Sequence, residues 1–169
     1  MSPSSEHESD ADMLGRFVVV LTEELGHPIK AGRSTTYRRE DLERGLEPDN
    51  SYWLANEPKV RGKRHIDLNV DPPPDLAVEI DVTRSSLDRM GIYAPLGVRE
   101  LWRGDEHGLA FFVLRKGKYV EKATSLAFPW LKPADLTEHL ALRATMDENE
   151  VAARFRAWVR KKIKDAAES

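Results

Sequence analysis

The chain of 169 residues contains no cysteine, which excludes disulfides, thiolate metal sites and thiol nucleophiles together. Long apolar runs are also missing. The longest near the N-terminus is the five residues from Phe17 to Leu21, too short for a signal-peptide core or a membrane span. A cytoplasmic protein with no membrane partner is therefore the expectation. Nor is there an excess of positive charge, since 26 Lys and Arg stand against 29 Asp and Glu for a net charge of -3. A surface coated throughout with cations for nucleic acid is thereby excluded, but a local basic patch is not.

What is present is an ordinary globular composition, 40% hydrophobic and 33% charged, at a length that suits one domain with its own core. Residues 1–10 have the polar, acidic composition of a disordered tail, leaving 11–169 as a single domain. From Met13 an apolar pattern at helical spacing runs through Phe17, Val20, Leu21 and Leu25, and Gly26 with Pro28 stops it. Thr35 to Tyr37 favour a strand, and Arg38 to Gly45 a turn of helix closed by glycine.

Alternation then dominates. In EPDNSYWLAN, Asp49, Ser51, Trp53 and Ala55 share one strand face, with Asn50, Tyr52 and Leu54 on the other. In PDLAVEIDV, Leu76, Val78, Ile80 and Val82 oppose Asp75, Ala77, Glu79 and Asp81. A helix capped near Thr83 is expected to run through Leu87, Met90 and Tyr93 towards Gly97. Three further strands follow, VRELWR, LAFFVLR and KYVEKA, the last two joined by a tight Lys116-Gly117 turn. Two helices close the chain, from Pro133 to Leu142 and from about Asp147 to Lys164. The second carries an apolar stripe of Val151, Phe155, Trp158, Val159 and Ile163. This order predicts a mixed α/β or α+β fold with one central sheet.

The chemistry rests on carboxylates. Asp49 after Pro48 and Glu79 in the next alternating strand suit a divalent cation held against a phosphodiester. They equally suit a plain hairpin, with Asp49 as a turn residue and Glu79 on a solvated face. Three carboxylates on one face would repel unless solvated or bridged by a cation, and Asp81 is an open case. The cluster Arg61-Gly62-Lys63-Arg64-His65 has the composition to bind phosphates, although such clusters are mostly solvated. His65 has no second histidine at ligand spacing. Tyr52, Trp53, Tyr93 and Trp102 fall in apolar periodic segments and read as core.

Taken together, EPDNSYWLAN, RGKRHIDLNVDPPPDLAVEID, LDRMGIYAPLGVRELWR and FRAWVR resemble the Uma-type putative restriction endonuclease family, in the form abundant in cyanobacteria. That family is a branch of the PD-(D/E)XK nuclease superfamily, and the resemblance spans roughly residues 13–163. It implies a restriction-endonuclease-like mixed sheet flanked by helices, on which Asp49 and Glu79 ligate Mg²⁺ or Mn²⁺ for DNA phosphodiester hydrolysis. The superfamily motif places a lysine two residues after the second acid; here that position is Asp81, which would then be a third ligand. Counting back from Tyr93-Ala94 gives Arg89 where a lysine is otherwise offered, and Lys63 and Arg84 are other available cations. Arginine stabilises negative charge but does not act as a base. Two function classes follow: a metal-dependent endonuclease, or a nuclease fold that has lost catalysis and serves as a binding or dimerisation module. A homodimer is an expectation in either case.

Overall fold

A computed structural model describes residues 5–32, 37, 39, 47–80 and 90–169. Helix α1 spans Ser5–Leu25 and ends in a Schellman turn. Gly26 adopts φ +68°, and the N–H groups of Gly26 and His27 close on the carbonyls of Glu23 and Thr22 at 3.3 and 2.9 Å. The helix thus starts upstream of its apolar pattern, and residues 5–10, expected in a tail, are helical. Their anchors are polar, which is why apolar periodicity overlooks them. Arg143 donates to Ser9 Oγ at 2.7 Å and pairs with Asp10.

The sheet has six strands in the order β1-β2-β3-β4-β5-β6: β1 (Lys30–Ala31), β2 (Asn50–Trp53), β3 (Leu76–Ile80), β4 (Glu100–Asp105), β5 (Gly108–Arg115) and β6 (Lys118–Lys122). Neighbours are antiparallel except β3 and β4, which run parallel. A parallel pair needs a crossover, and that crossover carries α3 (Met90–Leu96). Tight hairpins join β4 to β5 and β5 to β6. Lys116 and Gly117 have φ of 50° and 78°, the positive pair that a type I′ turn requires, so the turn expected there forms. A short helix, α2 (Glu57–Val60), follows β2, and α4 (Pro133–Ala141) and α5 (Glu148–Glu168) close the chain. Asp147 caps α5, accepting from the N–H groups of Asn149 and Glu150 at 2.8 and 3.0 Å.

The two sheet faces bury different cores. Leu76, Val78, Trp102 and Phe111 pack with Leu14, Phe17 and Leu21 of α1, Leu136 of α4 and Phe155 of α5. On the opposite face Trp53, Ala77 and Leu101 pack with Tyr93 and Leu96 of α3 and with Val60. The alternation expected along β2 and β3 therefore holds. Of the stripe of α5, Val151, Phe155 and Val159 are fully buried, and Trp158 and Ile163 are partly buried against the same core. The expected strand and helical turn at 35–45, and the capped helix start at 83–89, lie outside the described residues apart from Tyr37 and Arg39.

Candidate functional site

Asp49 and Glu79 come together at one end of the β2–β3 pair. The ladder ends with Asn50 matched to Val78, so Asp49 and Glu79 are the next residues along their two segments. Alternation puts Glu79 on the face of Ala77, away from Leu76 and Val78. That face is not solvated: Glu79 is 3% exposed, which overturns the water-facing alternative. A buried carboxylate needs a donor. The Tyr93 phenol of α3 supplies it, donating to Glu79 Oε1 at 2.6 Å.

Asp49 lies in a bend just before β2 and is half-buried. Its Oδ2 accepts the backbone N–H of Ile80 at 2.7 Å, so a side chain extends the β2–β3 ladder past its last backbone pair. This aims the carboxylate at the seam between the strands. Because a carboxylate has lone pairs for several donors, that bond and a cation ligand are chemically compatible. Two hard oxygen donors of this kind suit Mg²⁺ only with water and a phosphate completing the octahedron. Among the described residues, no group of three or more His, Asp or Glu is placed to hold a metal ion. Asp81, Arg84 and Arg89 lie outside the described residues.

The remaining acids near these strands are structural. Asp75 accepts from the N–H groups of Leu54 and Asn56 at 2.7 and 3.0 Å and from Asn56 Nδ2 at 3.1 Å, tying the start of β3 to the turn after β2. Glu100 accepts from Trp102 Nε1, Ser125 Oγ and the N–H groups of Leu126 and Ala127. Burial still pushes its carboxyl above the usual range, against the pull of those donors.

Among the cations, Lys63 pairs with Asp71 and lines a hollow of about 380 Å³ with Lys30, Tyr37, Trp53, Arg64 and His65. Sequence reasoning missed Arg103. Strands β3 and β4 pair Glu79 directly with Arg103, and parallel partners project to the same face, where Leu101 joins the core of Tyr93 and Ala77. Arg103 is half-buried there. Its signal was a cation inside the apolar strand VRELWR, but only the β3–β4 register connects it to Glu79.

The cations of α5 are partly committed elsewhere. Arg156 donates to Glu24 Oε1 at 2.6 Å and Glu23 Oε2 at 3.0 Å, and Arg160 to Glu24 Oε2 at 2.9 Å, so these two clamp α5 to α1. A last close approach lies just after β1, on the side of the sheet that carries Ser51 and Trp53. A Cβ at Gly32 would run into the Tyr37 hydroxyl and Ser51 Oγ, which lie 2.5 Å from each other.

A mixed sheet with helices on both faces and two acids at the same end of neighbouring strands defines a restriction-endonuclease-like fold. The sequence pattern of the Uma2 family, whose description is "Putative restriction endonuclease", matches residues 1–146. The chain belongs to that family. The crystal structure of a putative nuclease belonging to DUF820 from Anabaena variabilis is similar in fold, covering 82% of this chain and 83% of that one at 17% identity, with a TM-score of 0.54. No curated protein matches the chain. Among the described residues, no helix is long and apolar enough to cross a membrane.

Proposed function

We propose that this protein uses a nuclease fold as a nucleic-acid-binding module, with Asp49 and Glu79 acting chiefly as structural carboxylates. The observation that carries this reading is where those carboxylates point. Asp49 is bonded to the Ile80 amide and Glu79 to the buried Tyr93 phenol, so each does a defined job within the fold. The superfamily lysine is also replaced, since Asp81 stands two residues after Glu79. A carboxylate there does not offset the negative charge that builds up during phosphoryl transfer.

One observation supports a second reading, a Mg²⁺-dependent DNA endonuclease: the β2–β3 ladder ends at Asn50 and Val78, so Asp49 and Glu79 are the next residues of the two segments, and Arg103 is the β4 partner of Glu79. In that reading Asp49, Glu79 and Asp81 hold the ion, and Arg103 or Arg89 balances charge on the phosphate. A bound Mg²⁺ would supply an activated water and a polarised phosphoryl oxygen. Arginine keeps its proton and contributes only electrostatics.

Supercoiled plasmid incubated with the protein and Mg²⁺ or Mn²⁺ separates the two. Intact plasmid with retarded mobility is the result expected of a binding module. Nicking that disappears in Asp49→Ala and Glu79→Ala replaces that reading with the second one. Calorimetric titration with Mn²⁺ adds a readout independent of cutting, the binding module giving no more heat than the double variant.

A further inference from the structure

The hollow between β1 and the loop after α2 combines features that the carboxylate pair does not use. Its lining brings Lys30 of β1 together with Lys63, Arg64 and His65, against a wall formed by Tyr37 and Trp53. Two cations of the segment are neutralised locally: Lys63 by Asp71, and Arg61 by Glu57 at 2.6 Å. Arg64 and His65 have no ion pair among the described residues, and Lys30 makes none within bonding distance although it lies near enough to Glu57 to help Arg61 hold that carboxyl low. Among the described residues, no acid lines the hollow. Arg64 and His65 are exposed, whereas Trp53 beneath them is 1% exposed and donates its indole N–H to the Pro72 carbonyl at 2.9 Å. The floor is thus fixed by the core while the charged rim faces water.

Placement adds direction. Trp53 closes β2 four residues after Asp49, which precedes the strand, and at roughly 3.3 Å per residue of extended chain the two are at most about 13 Å apart. Backbone phosphates advance about 3.4 Å per step along one strand of a duplex. A polynucleotide passing the carboxylate end of β2 therefore reaches this rim within about four steps.

We infer that the Lys30–Arg64–His65 rim is the subsite that holds the phosphate backbone of a nucleic acid strand, a contact made to phosphates and not to bases. The inference rests on the nucleic-acid-binding reading and names where that binding is concentrated. Nothing in it requires cleavage or a metal, since backbone affinity comes from releasing counterions condensed on the polyanion.

The test is fluorescence anisotropy with labelled 20-mer DNA, single-stranded in one arm and duplex in the other, in EDTA across a salt series. Lys30→Gln with Arg64→Gln is expected to weaken binding at least tenfold at low salt in the arm that binds. It should also flatten the dependence of log Kd on log salt by about 1.4 for single strands or about 1.8 for duplex, from two lost phosphate contacts. Lys161→Gln with Lys164→Gln on α5 makes the same change in net charge and should stay within about twofold of wild type. Thermal melts confirm that each variant is folded. A double variant that binds like wild type overturns the subsite and leaves the binding module standing. Equal losses from both pairs overturn it as well, in favour of diffuse charge. A wild type that binds neither form overturns the subsite and the binding module together.

Discussion

The Tyr93 phenol donates to Glu79 Oε1 at 2.6 Å, joining α3 to β3 inside the core, with Tyr93 1% and Glu79 3% exposed. Removing only the hydroxyl tests what that bond supports. Tyr93→Phe leaves a buried carboxylate short of a donor, and the cost expected is about 1–3 kcal/mol. Urea denaturation reads it directly. Glu79→Gln in the Tyr93→Phe background should recover part of the loss, because an amide is cheaper to bury than a charge.

Asp49 separates a structural role from a ligand role through two substitutions. Asn keeps a carbonyl oxygen that accepts the Ile80 N–H, whereas Ala does not. Asp49→Ala is expected to cost about 1–2 kcal/mol, and Asp49→Asn less than about half of that. Any Mn²⁺ affinity that depends on the charge falls in both. Calorimetry set beside chemical denaturation distinguishes the two effects, since a purely structural aspartate gives equal metal titrations in wild type and Asp49→Asn.

Arg103 and Glu79 are register partners on the parallel β3–β4 pair, and side chains so placed interact across the strands. We expect a double-mutant cycle of Arg103→Met and Glu79→Gln to give a coupling of about 1 kcal/mol or more, above the range of an exposed pair. A coupling near zero shows that the two charges do not sense each other.

How much of this was legible beforehand follows from what each feature depends on. Alternation and turn chemistry are local, so the faces of β2 and β3, the Lys116-Gly117 turn and the start of α5 near Asp147 could be read from the chain. The start of α1 was not legible because Ser9 and Asp10 are held by Arg143, a polar contact across more than a hundred residues. The juxtaposition of Asp49 and Glu79 came from the resemblance and not from spacing, which also fitted a plain hairpin. Arg103 stayed hidden for a different reason. Parallel pairing brings together residues separated by a crossover, and no pattern within either strand states their register. The donor to Glu79 was invisible for the same reason, since Tyr93 of α3 reaches it from outside its own strand.

Glu24 makes the α1–α5 clamp sensitive to acid. Hydrogen bonds from Arg160 first, then Arg156, hold its carboxyl below the usual range. A carboxyl whose folded-state pKa lies below its unfolded value adds stability above the unfolded value and loses it as pH falls through the folded one. Thermal stability is thus expected to drop on acidification below the ordinary glutamate range. Glu24→Gln should flatten part of that acid limb while lowering stability at neutral pH. Melting curves from pH 7 to pH 3 at low and high salt check this, with high salt narrowing the difference because the pair lies near the surface.

Glu100 carries the opposite sign. Burial raises its carboxyl, with the Ser125 hydroxyl, Trp102 indole and the Ala127 and Leu126 amides pulling the other way. A raised folded-state pKa means that the ionised carboxylate is a cost at neutral pH, relieved as pH falls from the folded value through to the unfolded one. The same four donors nevertheless need an acceptor, since Ser125 and Trp102 are themselves buried. Glu100→Ala is expected to lose about 3 kcal/mol or more by orphaning them. Glu100→Gln should lose less, because its carbonyl oxygen still accepts on the Oε1 side, and only its amide meets the Ala127 N–H donor to donor. Acid titration of stability then separates the effects: the rise contributed by protonating Glu100 is absent from Glu100→Gln, and an unchanged profile in that variant removes Glu100 as its source.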